Sequence, residues 1–151
     1  MRKMPMFALA GALSVGLVAA AVTVRAAEFG TAGEAKAMLE RAVAAIKADK
    51  ARALATFIKG EGGFKDRDLY PFCGGPDGNF TAHPTLTGKS LKGLKDKAGQ
   101  ALGEEIYKVA QEGKISEVTY MWPRPGTDQP VQKVTFVTKV GDQVCAVGYY
   151  K

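Results

Sequence analysis

The stretch Asp68-Leu-Tyr-Pro-Phe-Cys-Gly-Gly-Pro-Asp-Gly-Asn-Phe-Thr-Ala-His-Pro84 reads as strand, tight turn, strand. Leu69 to Cys73 is apolar and aromatic, and Phe80 to His83 resumes an extended segment after the turn signature Pro76-Asp77-Gly78. Pro76 presets the backbone of the turn, Asp77 can bond its own main chain, and Gly78 tolerates positive φ. The second strand ends on His83, the one histidine of the chain, and Pro84 pushes the residue before it towards extended geometry. The imidazole is therefore carried at a strand end, where a sheet domain would put a recognition group.

Upstream of this hairpin, Thr31-Ala-Gly-Glu34 has the form of a capping box. Ala35, Met38, Leu39, Ala42, Val43 and Ile46 follow at three- and four-residue spacing and define one apolar stripe of a helix. The pattern breaks at Asp49, which can cap a second piece carrying Leu54, Phe57 and Ile58. A two-part helix ending near Ile58 is expected, stopped by Gly60 to Gly63, with Phe64 tucked under the sheet.

Downstream, Pro84 to Lys97 reads as a loop pinned by Leu86, Leu91 and Leu94, and Gly99 to Gln111 as a helix with Gly113 as its stop. Three strands follow: Ile115 to Trp122, Val131 to Val140 and Gln143 to Tyr150. Two strands, a helical crossover and three more strands predict an α+β fold, an antiparallel sheet with helices packed on it. Alternation puts Lys133, Thr135 and Val137 on one face of the fourth strand, so Lys133 is a cation inside a largely apolar segment.

The first 26 residues are set aside from the fold. Arg2 and Lys3 precede an uncharged apolar run, and Val24-Arg25-Ala26 suits cleavage after Ala26, so residues 1–26 are expected to be a signal peptide. An uncleaved anchor is the alternative, since the run nears the roughly twenty residues a bilayer requires. Membrane attachment is expected only in that case. Residues 27–151 are the length of one domain. They keep 18 basic and 15 acidic side chains, too mild an excess for a nucleic-acid partner. The densest basic run, Lys89, Lys92, Lys95 and Lys97, has no aromatics between its lysines to stack on bases.

Enzyme chemistry finds little purchase. Ser90 and Ser116 lack a nucleophile motif, and Glu104-Glu105 diverge on a helix. Two cysteines and one histidine without CxxC or HxxxH spacing do not make a metal site, and no cofactor is expected. In an exported chain Cys73 and Cys145 are a disulfide candidate, and two small buried hydrophobes are the alternative.

The run Asp68-Leu-Tyr-Pro-Phe72, Asp77-Gly78, Ala82-His83-Pro84, Gly88-Lys89, Asp96 followed by Gly99, Tyr120-Met-Trp-Pro123, Lys133 and Val147-Gly-Tyr-Tyr150 resembles the single Cache domain, type 2. The resemblance covers nearly all of residues 27–151. It implies an extracytoplasmic small-molecule sensor in which a long N-terminal helix precedes a PAS-like five-stranded antiparallel sheet with a helical crossover. It also implies a pocket between one sheet face and the crossing loop and helix, often taking a small organic acid.

The residues permit that chemistry. Tyr70, His83, Tyr120 and Lys133 can donate hydrogen bonds to an anion, and Trp122 can form an apolar wall. Lys133 has the strongest case, because a lysine among strand hydrophobes is costly unless something answers it. Family members of this kind commonly sit between two membrane helices, and this sequence has no second span or cytoplasmic module. The expectation is thus a periplasmic or otherwise secreted sensor that passes its ligand state to a separate membrane sensor protein. An exported structural or protein–protein interaction domain without a small-molecule ligand is the competing reading.

Overall fold

A computed structural model describes residues 27–151, and the expected signal peptide lies outside the described residues. Helix α1, Ala32–Ala48, starts from the capping box: Glu34 N–H donates to Thr31 Oγ1 at 3.3 Å, and Thr31 N–H donates to Glu34 Oε2 at 2.8 Å. Asp49 ends this helix and begins the next. Its N–H donates to Ala45 O, while its side chain accepts from Arg52 N–H at 3.1 Å, the first turn of α2, Lys50–Lys59. Gly60 stops α2 with φ of 69°, a conformation glycine takes without strain.

The strands are β1 Pro71–Gly74, β2 Phe80–Ala82, β3 Ser116–Pro123, β4 Pro130–Val140 and β5 Gln143–Tyr150. All pair antiparallel, in the order β2-β1-β5-β4-β3. This is the expected α+β architecture. The crossover from β2 to β3 carries α3, Leu102–Val109, which moves the chain from one sheet edge to the other.

Each sheet face has its own core. On one, Met38, Leu39, Ala42, Ala53 and Phe57 of α1 and α2 bury against Cys73, Phe136, Cys145 and Val147. A fully buried Leu, Met or Phe contributes about 1.5–3 kcal/mol of transfer free energy, so this contact secures the helices. Phe64 packs edge-on against Phe57 of α2, ring centroids 4.6 Å apart, within that layer. On the other face, Leu91 of the crossover loop and Leu102 and Ile106 of α3 cover Phe72, Phe80, Val118, Tyr120 and Val137. Sheet alternation decides which residues each core receives.

The crossover is fastened by Asp96. Its Oδ1 accepts from Ala98 and Gln100 N–H at 2.9 and 2.7 Å, and its Oδ2 accepts from Met121 N–H of β3 at 2.9 Å. These bonds organise the turn through Gly99 (φ 85°) and delay the helix, which was expected from Gly99, to Leu102.

Gly103 brings α3 against the loop: a Cβ there would overlap Leu91 O and lie 2.6 Å from Lys92 O. Gly103→Ala is therefore expected to destabilise the domain by about 2–3 kcal/mol through overpacking against rigid backbone. The ~1 kcal/mol helix-propensity gain of alanine opposes that cost. A urea midpoint at or above that of the parent would show that the loop yields.

Candidate functional site

Tyr70, His83, Tyr120, Trp122 and Lys133, the five residues expected from sequence, converge on the α3 side of the sheet. Leu91, Leu94, Leu102 and Ile106 close the chamber from above, and Phe72 and Phe80 complete its floor. Tyr70 arrives just before β1, His83 just after β2, Tyr120 and Trp122 from β3, and Lys133 from β4. Antiparallel register brings Tyr120 opposite Lys133, and Lys133 opposite Tyr150.

Lys133 is the chemical centre, with 1% of its surface exposed. Its ammonium donates to Tyr70 Oη at 3.1 Å and lies 4.4 and 4.8 Å from the ring centroids of Tyr70 and Tyr150. Burial works against the charge, but the surrounding Tyr120, Tyr70 and Tyr150 groups outweigh it and hold the pKa above the usual lysine range. No carboxylate among the described residues pairs with it. An ammonium has three N–H donors, and Tyr70 takes one. The site is a desolvated cation ringed by phenols, with no counter-anion among the described residues.

Space for that cation comes from Gly148, directly across from Thr135. A Cβ at Gly148 would lie 2.5 Å from Lys133 Cε and closer still to Thr135 Oγ1. Thr135 in turn shares a 2.9 Å hydrogen bond with Tyr120 Oη. Burial pushes the Tyr120 phenol up, so at neutral pH it is an uncharged hydrogen-bonding group.

His83 does not bond a loop carbonyl through its ring. Its Nδ1 accepts from Thr85 and Leu86 N–H at 3.0 and 3.1 Å, which puts the ring proton on Nε2. Burial, followed by the nearby Lys133 charge, pushes its pKa down to about 4. His83 is thus a neutral N–H donor, oriented by its own loop and ringed by Tyr70, Phe72 and Phe80.

A depressed folded-state pKa means that the unfolded chain binds the proton more readily between the two pKa values. The contribution of His83 is therefore complete above about pH 6.5 and is lost as pH falls towards 4. His83→Gln is expected to remove up to about 3 kcal/mol of that acid-side slope, since one pKa unit is about 1.4 kcal/mol. Urea melts of parent and variant at several pH values check this. Parallel pH profiles would mean that the ring is not neutral in the folded state.

Two cavities meet here. The inner chamber over Lys133 has about 10 Å³ of free space, room for about one water. Beyond Tyr70, His83 and Trp122 lies an open cleft of about 370 Å³, which also takes in Lys65, Arg67, Lys97, Arg124 and the Pro123–Thr127 turn. Arg124 reaches from this rim to Asp68, 3.5 Å away, and covers the Phe29 ring. Arg67 donates to the Ala27 and Phe29 carbonyls and pairs with Glu34 at 2.6 Å, so the chain entering α1 is tied to the cleft rim.

Sequence reasoning missed Tyr150 as a site residue. Its hydroxyl donates to Pro123 O at 3.0 Å and its ring faces Lys133. The signal was present as the Tyr149-Tyr150 close of the last strand, but its position opposite Lys133 depends on register. Cys73 and Cys145, the disulfide candidate, are bonded and occupy paired positions of β1 and β5 on the opposite, α1-facing side of the sheet.

A family model described as Cache domain matches residues 36–149. The methyl-accepting chemotaxis protein McpP of Pseudomonas putida is 32% identical over 56 residues. That match takes in 37% of this chain and spans about a tenth, 10%, of the receptor's length. A methyl-accepting chemotaxis protein from Vibrio parahaemolyticus superposes with a TM-score of 0.64 and 26% identity, covering 78% of this chain and 86% of that one. A periplasmic sensor domain of a chemotaxis protein gives 0.59 and 25%, over 76% and 86%. A Cache chemosensory domain described by its carboxylic acid recognition gives 0.55 and 21%, over 76% and 84%, a likeness in fold.

Proposed function

The chain belongs to the Cache domain family, and from that membership we propose that it is an exported sensor domain binding a small carboxylate over Lys133. The observation that carries the reading is the buried, unpaired Lys133 ammonium, with Tyr70, Tyr120 and His83 Nε2–H beside it. In a chamber shielded from water, a carboxylate receiving charge-assisted hydrogen bonds from such a group gains far more than it would at the surface. A dianion would bring a second charge with one buried cation to meet it. A monocarboxylate suits the charge balance, and the apolar walls suit a short hydrocarbon tail.

The acid recognition described for a structural neighbour belongs to that protein; for this chain the support for an anion is the Lys133 ammonium itself. In the proposed setting residues 1–26 direct export to the periplasm, residues 27–151 form the single sensor domain, and a separate membrane receptor reads its state. No helix among the described residues is long and apolar enough to cross a membrane.

One observation favours a second reading. The inner chamber holds about one water as it stands, and the Tyr70 and Tyr150 faces already answer part of the charge on Lys133. On that reading the domain is a structural or protein–protein interaction module whose lysine is an internal plug. Thermal unfolding with added acetate or propionate separates the two: a binder gains stability with the logarithm of ligand concentration, and a plugged core gains none.

A further inference from the structure

We propose that Trp122 is the gate between the outer cleft and the Lys133 chamber and sets the size of acid admitted. The proposal rests on the carboxylate reading above. Three side chains line both cavities: Tyr70, His83 and Trp122. Two of them are pinned. The Tyr70 hydroxyl is held by Lys133 Nζ at 3.1 Å, and His83 is held by the Thr85 and Leu86 amides at 3.0 and 3.1 Å. The Trp122 indole N–H donates to no group among the described residues.

Trp122 keeps its place by packing and not by hydrogen bonds: it lies partly buried against the apolar core of this face, edge-to-face with Tyr120 at a centroid distance of 6.2 Å, with Lys97 Nζ 5.8 Å over its ring. It also lies near the end of an edge strand, where β3 runs into the Pro123–Thr127 turn. Rotating one unpinned ring joins about 10 Å³ of chamber to about 370 Å³ of cleft without breaking a hydrogen bond. The chamber itself takes about one water, so an acid on Lys133 occupies space that the ring vacates, and the shorter the acid the less of the packing of Trp122 against Tyr120 is given up.

Trp122 is the only tryptophan of the chain, so its emission reads the gate directly in the unmodified protein. Addition of acetate is expected to change the emission and its quenching by acrylamide, saturating at the same concentration as binding measured by calorimetry. Titration with straight-chain acids from acetate to octanoate is expected to show wild type favouring the short acids. Trp122→Ala should accept hexanoate and octanoate roughly tenfold or more tighter than wild type, reversing the chain-length preference. Trp122→Phe, which keeps an aromatic wall, should fall between the two and guards against loss of folding in the alanine variant.

An unchanged chain-length profile in both variants, or acetate binding that leaves the Trp122 emission unmoved, overturns the gate while the carboxylate site stands. Failure of wild type and variants alike to bind any acid overturns both.

Discussion

Lys133→Met is expected to abolish stabilisation by acetate while leaving the ligand-free domain as stable as the parent or more so. The two halves have one cause. An ammonium that is 1% exposed has surrendered its hydration, an effective penalty of several kcal/mol in a protein interior. Two ring faces and one phenol oxygen offset part of that penalty. Methionine has a similar unbranched shape, fills the space above Gly148 and carries no charge to desolvate. The cost that remains is an unpaired Tyr70 hydroxyl, about 1–3 kcal/mol if it finds no other partner.

Binding should respond in the opposite sense. At a hundredfold excess over its dissociation constant a ligand contributes about 2.7 kcal/mol, a shift in melting temperature on the order of 10 °C for a domain of this size. Without the cation the carboxylate would enter an apolar chamber unpaired, and the shift should vanish. Differential scanning fluorimetry with and without acetate measures both. Equal acetate shifts in parent and variant would remove Lys133 from the site. A large loss of ligand-free stability would mean instead that the lysine is a structural plug.

The sequence was most legible where a local pattern decides structure. Thr31 and Glu34 announce the start of α1, and Asp49 announces the break because one residue can end a helix through its backbone and cap the next with its carboxylate. The turn at Pro76-Asp77-Gly78 closes the first hairpin, and the alternation of β4 puts Lys133 on the same face as Val137 without reference to any other strand. What depends on two distant segments was less accessible. Tyr150 joins the site because β4 and β5 pair in one register and not another. The His83 ring is turned by the Thr85 and Leu86 amides, so its available nitrogen follows from a loop conformation that spacing does not encode. The free volume over Lys133 is a packing property of seven different elements and loops, and residue types alone carry no record of it.

Reducing the Cys73–Cys145 bond is expected to cost about 4 kcal/mol, the loop-closure entropy of a crosslink spanning 72 residues. That is a large share of the roughly 5–15 kcal/mol by which a domain is stable. The linked strands are neighbours, yet the loop contains β2, the whole crossover with α3, β3 and β4. Reduction frees all of these in the unfolded chain. Both sulfurs lie in the core beneath α1, whereas Lys133 faces α3 across the sheet, so the bond and the cation act on opposite sides of the same five strands. The oxidised and reduced forms should consequently differ in urea midpoint by an amount the lysine variant does not show. Below the unfolding transition they should bind acetate alike. A Cys73→Ala, Cys145→Ala double variant should match the reduced protein after allowance for about 1–2 kcal/mol of lost sulfur packing. Coincident midpoints for the oxidised and reduced forms would show that the pair behaves as two buried hydrophobes. A loss of acetate affinity on reduction would show that the two faces are coupled, and the stability of the sheet would then be part of its recognition chemistry.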